Sequence, residues 1–136
     1  MPVSCAVDRL LRPLLRHLNV NAPALAENQG VNIDFEHISI QFTPLNKDEL
    51  LMVASLGCLP LEHHKDLAWL LLRQNNFYQP TPAINLTVEG HDKTVLLWSR
   101  ERFANLDSSA LITLFDRLVD RANETVRLIS AHRTRF

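Results

Sequence analysis

At Val31 the spacing of apolar residues changes from three-and-four to two, and it switches back and forth again before the chain ends. A helix repeats about every 3.6 residues and a strand about every two, so neither an all-helical nor an all-strand fold satisfies this chain. Ahead of the switch, Val7, Leu10, Leu11, Leu14, Leu15 and Leu18 recur at helical spacing, with Ser4 as the N-cap. Pro13 interrupts that stripe. An interior proline lacks an amide donor and clashes with the preceding turn, at about 3 kcal/mol, so a kink is predicted there, or a helix that begins near Pro13. Asn19 to Gly30 carries no period and reads as a loop.

From Val31 on, Val31, Ile33 and Phe35 alternate against Asn32, Asp34 and Glu36. After a reversal near Glu36-His37, Ile38, Ile40 and Phe42 alternate against Ser39, Gln41 and Thr43. Pro44 to Asp48 supplies a turn. Leu50 to Leu56 is then a nearly continuous apolar run ended by Gly57, the pattern of a central strand covered on both faces. Links this short leave no room for a crossover, so the three strands form an antiparallel meander.

Pro60 precedes a second helix, about Leu61 to Asn75, which contains six consecutive apolar residues from Leu67 to Leu72. At about 100° per residue such a run visits every side of a helix. One side packs on the sheet, and the other needs a further cover. A second copy of the chain is the expected cover, with Leu67, Trp69, Leu70 and Leu72 as the contact, since two-fold interfaces are the commonest way to bury such a surface. The alternative is that the first or third helix covers it within one subunit.

After the loop Asn75 to Pro80, Ile84, Leu86 and Val88 alternate with Asn85, Thr87 and Glu89. Glu89-Gly90-His91-Asp92 is a hairpin turn and Lys93 to Arg100 the returning strand. Asp107 caps a long third helix with the stripe Leu111, Leu114, Phe115, Leu118, Ala122, Val126 and Ile129. Its other side, Asp116, Arg117, Asp120, Arg121, Glu124 and Arg127, reads as a solvated face of mixed charge, and Ala131 to Phe136 as a fraying tail. The order helix-strand-strand-strand-helix-strand-strand-helix is an α+β domain with one antiparallel sheet, residues 1–136 forming a single unit.

Composition narrows the function. Lys+Arg 14 against Asp+Glu 15 gives a net charge of −1, without the positive surplus that binding of nucleic acid requires. No apolar run is long enough to span a bilayer, and Arg9, Arg12 and Arg16 fall inside the first apolar stretch rather than before it, against a secretory signal. A cytoplasmic chain is expected, with Cys5 and Cys58 as buried reduced thiols and no membrane partner. Asn85-Leu86-Thr87 and Asn123-Glu124-Thr125 are then chance sequons.

Catalytic or metal-binding residues are not evident. In Glu62-His63-His64-Lys65-Asp66 the adjacent histidines diverge by about 100° on a helix, and the segment reads as a polar first turn. His17, His37, His91 and His132 fall on polar or turn positions. Gly30, Gly57 and Gly90 are isolated, so no phosphate-cradling loop exists, and no serine or cysteine nucleophile sits in a recognisable setting. No cofactor is expected. What remains is more apolar surface than one small subunit can hide, which favours a binding protein over an enzyme.

Several segments in a fixed order carry a family likeness: Leu10-Leu11 to Leu18, Leu51-Met52-Val53-Ala54-Ser55-Leu56-Gly57, Leu70-Leu71-Leu72-Arg73-Gln74-Asn75-Asn76-Phe77, Val95 to Arg100, Leu106-Asp107, and Leu111 to Val126. Through them the chain resembles the class I type III secretion chaperones, the Tir-chaperone-like cytoplasmic proteins of Gram-negative bacteria that escort effectors to an export apparatus. The resemblance implies a homodimer joined through the second helix, and no enzymatic activity. It also implies an effector segment, near the effector's N-terminus, that winds around the dimer in extended form, adding strands to sheet edges and laying apolar side chains into pockets. For that contact it points to the first helix (Leu11, Leu15) and to Ile33, Phe35, Ile38, Ile40 and Phe42, on whichever strand face the core leaves open. Two other readings stand beside it: a small metal- or ligand-dependent enzyme using His63, His64 and His91, and an adaptor of the same fold that binds the export ATPase or a regulator.

Overall fold

The structure, a computed structural model, describes residues 5–26, 29–46, 48–60, 64–76 and 78–133, the side chains of residues 64, 65, 132 and 133 excepted. The elements follow the expected order: α1 (Ala6–His17), β1 (Val31–Asp34), β2 (Ser39–Leu45), β3 (Glu49–Cys58), α2 (His64–Leu72), β4 (Asn85–Glu89), β5 (Thr94–Arg102) and α3 (Ser108–Arg133). All strands join one antiparallel sheet in the order β1-β2-β3-β5-β4. The predicted meander, β1-β2-β3, therefore supplies three of its five strands.

One residue from each strand makes up the row Ile33, Ile40, Ala54, Leu97 and Leu86, and every member is buried. The row Phe42, Met52, Ser99 lies beside it on the same face. Helix α3 crosses that face over β3 and β5, and α1 packs against α3. Phe115 of α3 stacks on Phe42 with ring centroids 6.1 Å apart. The core lies between this one face and the helices.

Helix α1 runs unbroken through Pro13 instead of starting there, and its N-cap is Cys5, whose thiol donates to the Leu25 carbonyl at 3.0 Å. Ser4 lies outside the described residues. The loop after α1 is pinned back on it: Asp8 accepts from the Leu25 amide at 3.0 Å and from Arg12 at 2.7 Å, while Arg12 also reaches the carbonyls of Ala22 and Pro23. These bonds to its charged form, the Leu25 amide first and Arg12 second, hold the Asp8 carboxyl below the ordinary carboxylate range.

Two expectations about β3 fail. The strand does not stop at Gly57, which adopts φ +94° within an irregularity between Ser55 and Cys58 and lets the ladder resume at Cys58. Nor is it covered on both faces: Leu50, Met52, Ala54 and Leu56 are buried, whereas Leu51, Val53 and Ser55 are half-exposed. Cys58 is exposed and Cys5 half-buried, so neither is the fully buried thiol expected. At the start of α3, Asp107 accepts from the Ala110 amide at 2.7 Å, as a cap should. The far side of α3 is less solvated than its charges suggested. Arg117 donates to the Pro80 and Pro82 carbonyls, and Arg121 to Ile84 and Gln74, so both are half-buried anchors of the loop before β4. Helix α3 continues to Arg133, and residues 134–136 lie outside the described residues.

Candidate protein-binding surfaces

Helix α2 turns Leu67 and Leu71, one helical turn apart, into the core beside α3. Trp69, Leu70 and Leu72 point away from it and are 70%, 38% and 58% exposed. Three of the four residues expected to meet a second copy thus share an open side, while Leu67 is fully buried and holds the helix to its own subunit. The C-terminal end of α2 is fixed by Gln74, whose side chain accepts from Arg121 and Thr125 of α3, and by Asn75, whose amide bonds both backbone groups of Leu86 on β4.

The sheet face opposite α3 forms a second apolar surface. Leu45, Leu51, Val53, Leu96 and Trp98 line a shallow trough of about 670 Å³, rimmed by Gln41, Ser55, Thr87 and Arg100. Trp98 donates its indole N–H to Thr87 at 2.8 Å, which fixes the ring on this floor. Arg100 pairs with Glu49 at the rim, and its hydrogen bond holds the Glu49 carboxyl below its ordinary value. Reading β3 as covered on both faces concealed this trough. The signal that could have revealed it is β2, where Ser39, Gln41 and Thr43 are polar at three of the four positions of the same face, Leu45 being the fourth.

The residues expected to contact an effector mostly lie elsewhere. Leu11, Leu15, Ile40 and Phe42 are fully buried, and Ile33 and Ile38 retain 8% and 5% exposure, so all six pack in the subunit's own core. The parity that carries Ile40 and Phe42 is the one the helices cover. Phe35 differs: it is 41% exposed and touches Phe115 with ring centroids 6.2 Å apart. It sits at the end of β1, an edge strand. Phe35 donates to the Ile38 carbonyl, and bonded pairs alternate in an antiparallel ladder, so Ile33 and Val31 spend their backbone groups on β2 while Asn32 and Asp34 point theirs outward. Among the described residues no side chain reaches those outward groups.

Among the described residues no cluster of three or more His, Cys, Asp or Glu could hold a metal ion, and no helix is long and apolar enough to cross a membrane. His91 lies exposed in the β4–β5 turn; His63 falls outside the described residues, and so does the side chain of His64.

The sequence matches the Tir chaperone protein (CesT) family over residues 9–125, which takes in every described helix and strand in whole or large part. The chain belongs to the CesT family. Solved structures share its fold. A chain in the crystal structure of the Yersinia pestis type III secretion chaperone SycH, in complex with a stable fragment of YscM2, superposes with a TM-score of 0.68 at 21% identity, covering 87% of this chain and 98% of that one. A chain of the ExsC-ExsE complex gives 0.71 at 19% identity, over 95% and 97%. A chain of the ExoT-SpcS complex from Pseudomonas aeruginosa gives 0.70 at 20% identity, over 90% and 98%. No curated protein sequence gives a significant match. This CesT-family chain folds as α+β elements on one five-stranded sheet.

Proposed function

We propose that this CesT-family protein is a chaperone of type III secretion in the bacterial cytoplasm, working as a homodimer without catalytic activity. It binds a non-globular segment near the N-terminus of one or more effectors, keeps that segment unfolded and aids its delivery to the export apparatus. The observation that carries this reading is the family match across residues 9–125. The neighbouring folds support it, since one was solved as a chaperone-effector complex, HopA1-SchA, and another as a type III secretion chaperone with a stable fragment of YscM2.

The apolar surfaces suit the role. Trp69, Leu70 and Leu72 offer the dimer contact, a compact row that one copy can present to the same row of another under two-fold symmetry. The unpaired backbone of Asn32 and Asp34 offers an edge to an extended guest strand, with Phe35 beside it to take an apolar side chain. The floor formed by Leu51, Val53, Leu96 and Trp98 offers a further strip for apolar anchors. An effector held this way pays ordering entropy along its length, so a large contact with few anchors is the form that binds.

Light scattering of the purified protein is expected to give the dimer mass, and Leu70→Asp to give monomer or unfolded chain, since an unpaired charge would enter the contact. Co-expression with candidate effectors from the same host is expected to yield a complex in which a stretch near the effector's N-terminus resists protease. A wild-type monomer at micromolar concentration overturns the dimer, and failure to protect any effector overturns the chaperone assignment.

A further inference from the structure

The two edges of the sheet are not alike. Outward-facing backbone groups of an edge strand are a template for another strand, and proteins that stay soluble must close them or break them up. On the β4 edge, Leu86 and Ile84, the residue just before the strand, are successive outward residues, two apart as the pleat requires. The Leu86 amide donates to Asn75 Oδ1 at 2.5 Å and its carbonyl accepts from Asn75 Nδ2 at 2.7 Å. The Ile84 amide donates to Gln79 Oε1 at 2.9 Å and its carbonyl accepts from Arg121 Nη1 at 2.8 Å. Arg121 also donates to Gln79 Oε1 at 3.1 Å, locking the two plugging side chains together. The four outward groups of Ile84 and Leu86 are therefore taken by side chains from the loop after α2 and from α3, and the plug covers the Ile84–Leu86 stretch while Val88 lies beyond it. A primary amide presents an N–H and its C=O on the same side, as a residue of an extended strand presents its own backbone N–H and C=O, so Asn75 occupies the place of one residue of an added strand.

We propose that Asn75, with Gln79 and Arg121, plugs the β4 edge against strand addition, leaving β1 as the edge that accepts a strand. That a strand comes from an effector rests on the chaperone reading; the plug itself does not. A sheet with two open edges could take a strand on each side and link copy to copy into chains, whereas one open edge ends after a single addition. Val88, the next outward residue on β4, has a 41% exposed side chain, and an unplugged edge would extend through it.

The test uses the full-length protein alone. In the double variant Asn75→Ala, Gln79→Ala, the Leu86 amide is expected to exchange with solvent about tenfold faster, the loss of one hydrogen bond. Sedimentation is expected to show species larger than the wild-type assembly, growing with concentration. Adding Val88→Lys, which places a charge on the freed edge, is expected to suppress them. If the double variant does not fold, Asn75→Asp decides: it keeps the acceptor for the Leu86 amide, loses the donor to its carbonyl and should self-associate to an intermediate extent. Unchanged exchange at Leu86, faster exchange with wild-type sedimentation, or large species that Val88→Lys leaves intact would each overturn the plug. An anchoring role alone would lower the melting temperature and leave association unchanged. Since no effector is present, a failure here and a failure of the chaperone reading are told apart.

Discussion

Two neighbouring rows of the sheet differ by one residue per strand and by everything else. The row Ile33, Ile40, Ala54, Leu97 and Leu86 has no member more than 8% exposed. The next, Asn32, Gln41, Val53, Trp98 and Asn85, is polar at both ends and half-open in the middle. Helices cover the first and nothing among the described residues covers the second. One row is fixed by what the subunit must bury to fold. The other is freed from that duty, so its apolar centre at Val53 and Trp98 is available for contact with another chain.

The contrast is widest between Phe42 and its neighbour Gln41. Phe42→Ala should remove about 3–5 kcal/mol, since the side chain is fully buried against Phe115 and the cavity would not refill. Gln41→Ala, one residue away on the exposed face, should stay within about 0.5 kcal/mol. Urea denaturation of both variants measures the difference, and comparable losses would mean that the open face is covered after all.

Asp8 tests the cover instead of the sheet. Removing its carboxylate frees the Leu25 amide and Arg12 together, so Asp8→Ala should cost about 2 kcal/mol. The same contribution should respond to pH. The folded pKa lies below the unfolded value of about 3.9, so the stabilisation is complete above the ordinary carboxylate range and is lost as pH falls through it toward the folded pKa. Melting temperature followed from neutral to acid pH should therefore fall less steeply in Asp8→Ala than in the wild type. Trp98→Ala should cost less, about 1 kcal/mol, because the ring is only half-buried, yet weaken effector binding about tenfold if the open row takes an anchor. Unaltered binding would remove that row from the guest site.

What the sequence disclosed, and what it withheld, follows the same division. Local signals were sufficient for the element order and the Asp107 cap, because a cap or a turn is decided within a few residues. The exposed side of α2 was also readable, since six apolar residues in a row cannot all face one way. Which strand parity the helices cover was harder. In β3 both parities are apolar, Leu50, Met52 and Ala54 against Leu51 and Val53, so that strand gives no answer, and Ile38, Ile40 and Phe42, expected at an effector contact, lie on the parity the subunit's own core buries. Arg121 was misread for a different reason: the Ile84 carbonyl it serves lies 37 residues away, beyond the reach of any helical spacing rule. The plug on β4 was hidden likewise, since an asparagine after a helix looks like any loop residue until the strand it faces is known.

The smallest effect should separate two serines. Ser99 lies on the covered face beside Met52, is 1% exposed, and its hydroxyl has no hydrogen-bond partner among the described residues. A hydroxyl buried without a partner loses its bonds to water and gains none in return. Ser99→Ala should therefore raise stability, by about 1 kcal/mol less whatever van der Waals contact the oxygen makes. Ser55 stands on β3 with its side chain on the open face, where water can reach it, and Ser55→Ala should leave stability within about 0.5 kcal/mol. The sign decides the matter more than the size: a gain at Ser99 with none at Ser55 marks the covered face as dry and the open face as wet. A loss at Ser99 would mean that its hydroxyl is bonded in solution, and the covered face would then not be dry at that position of β5.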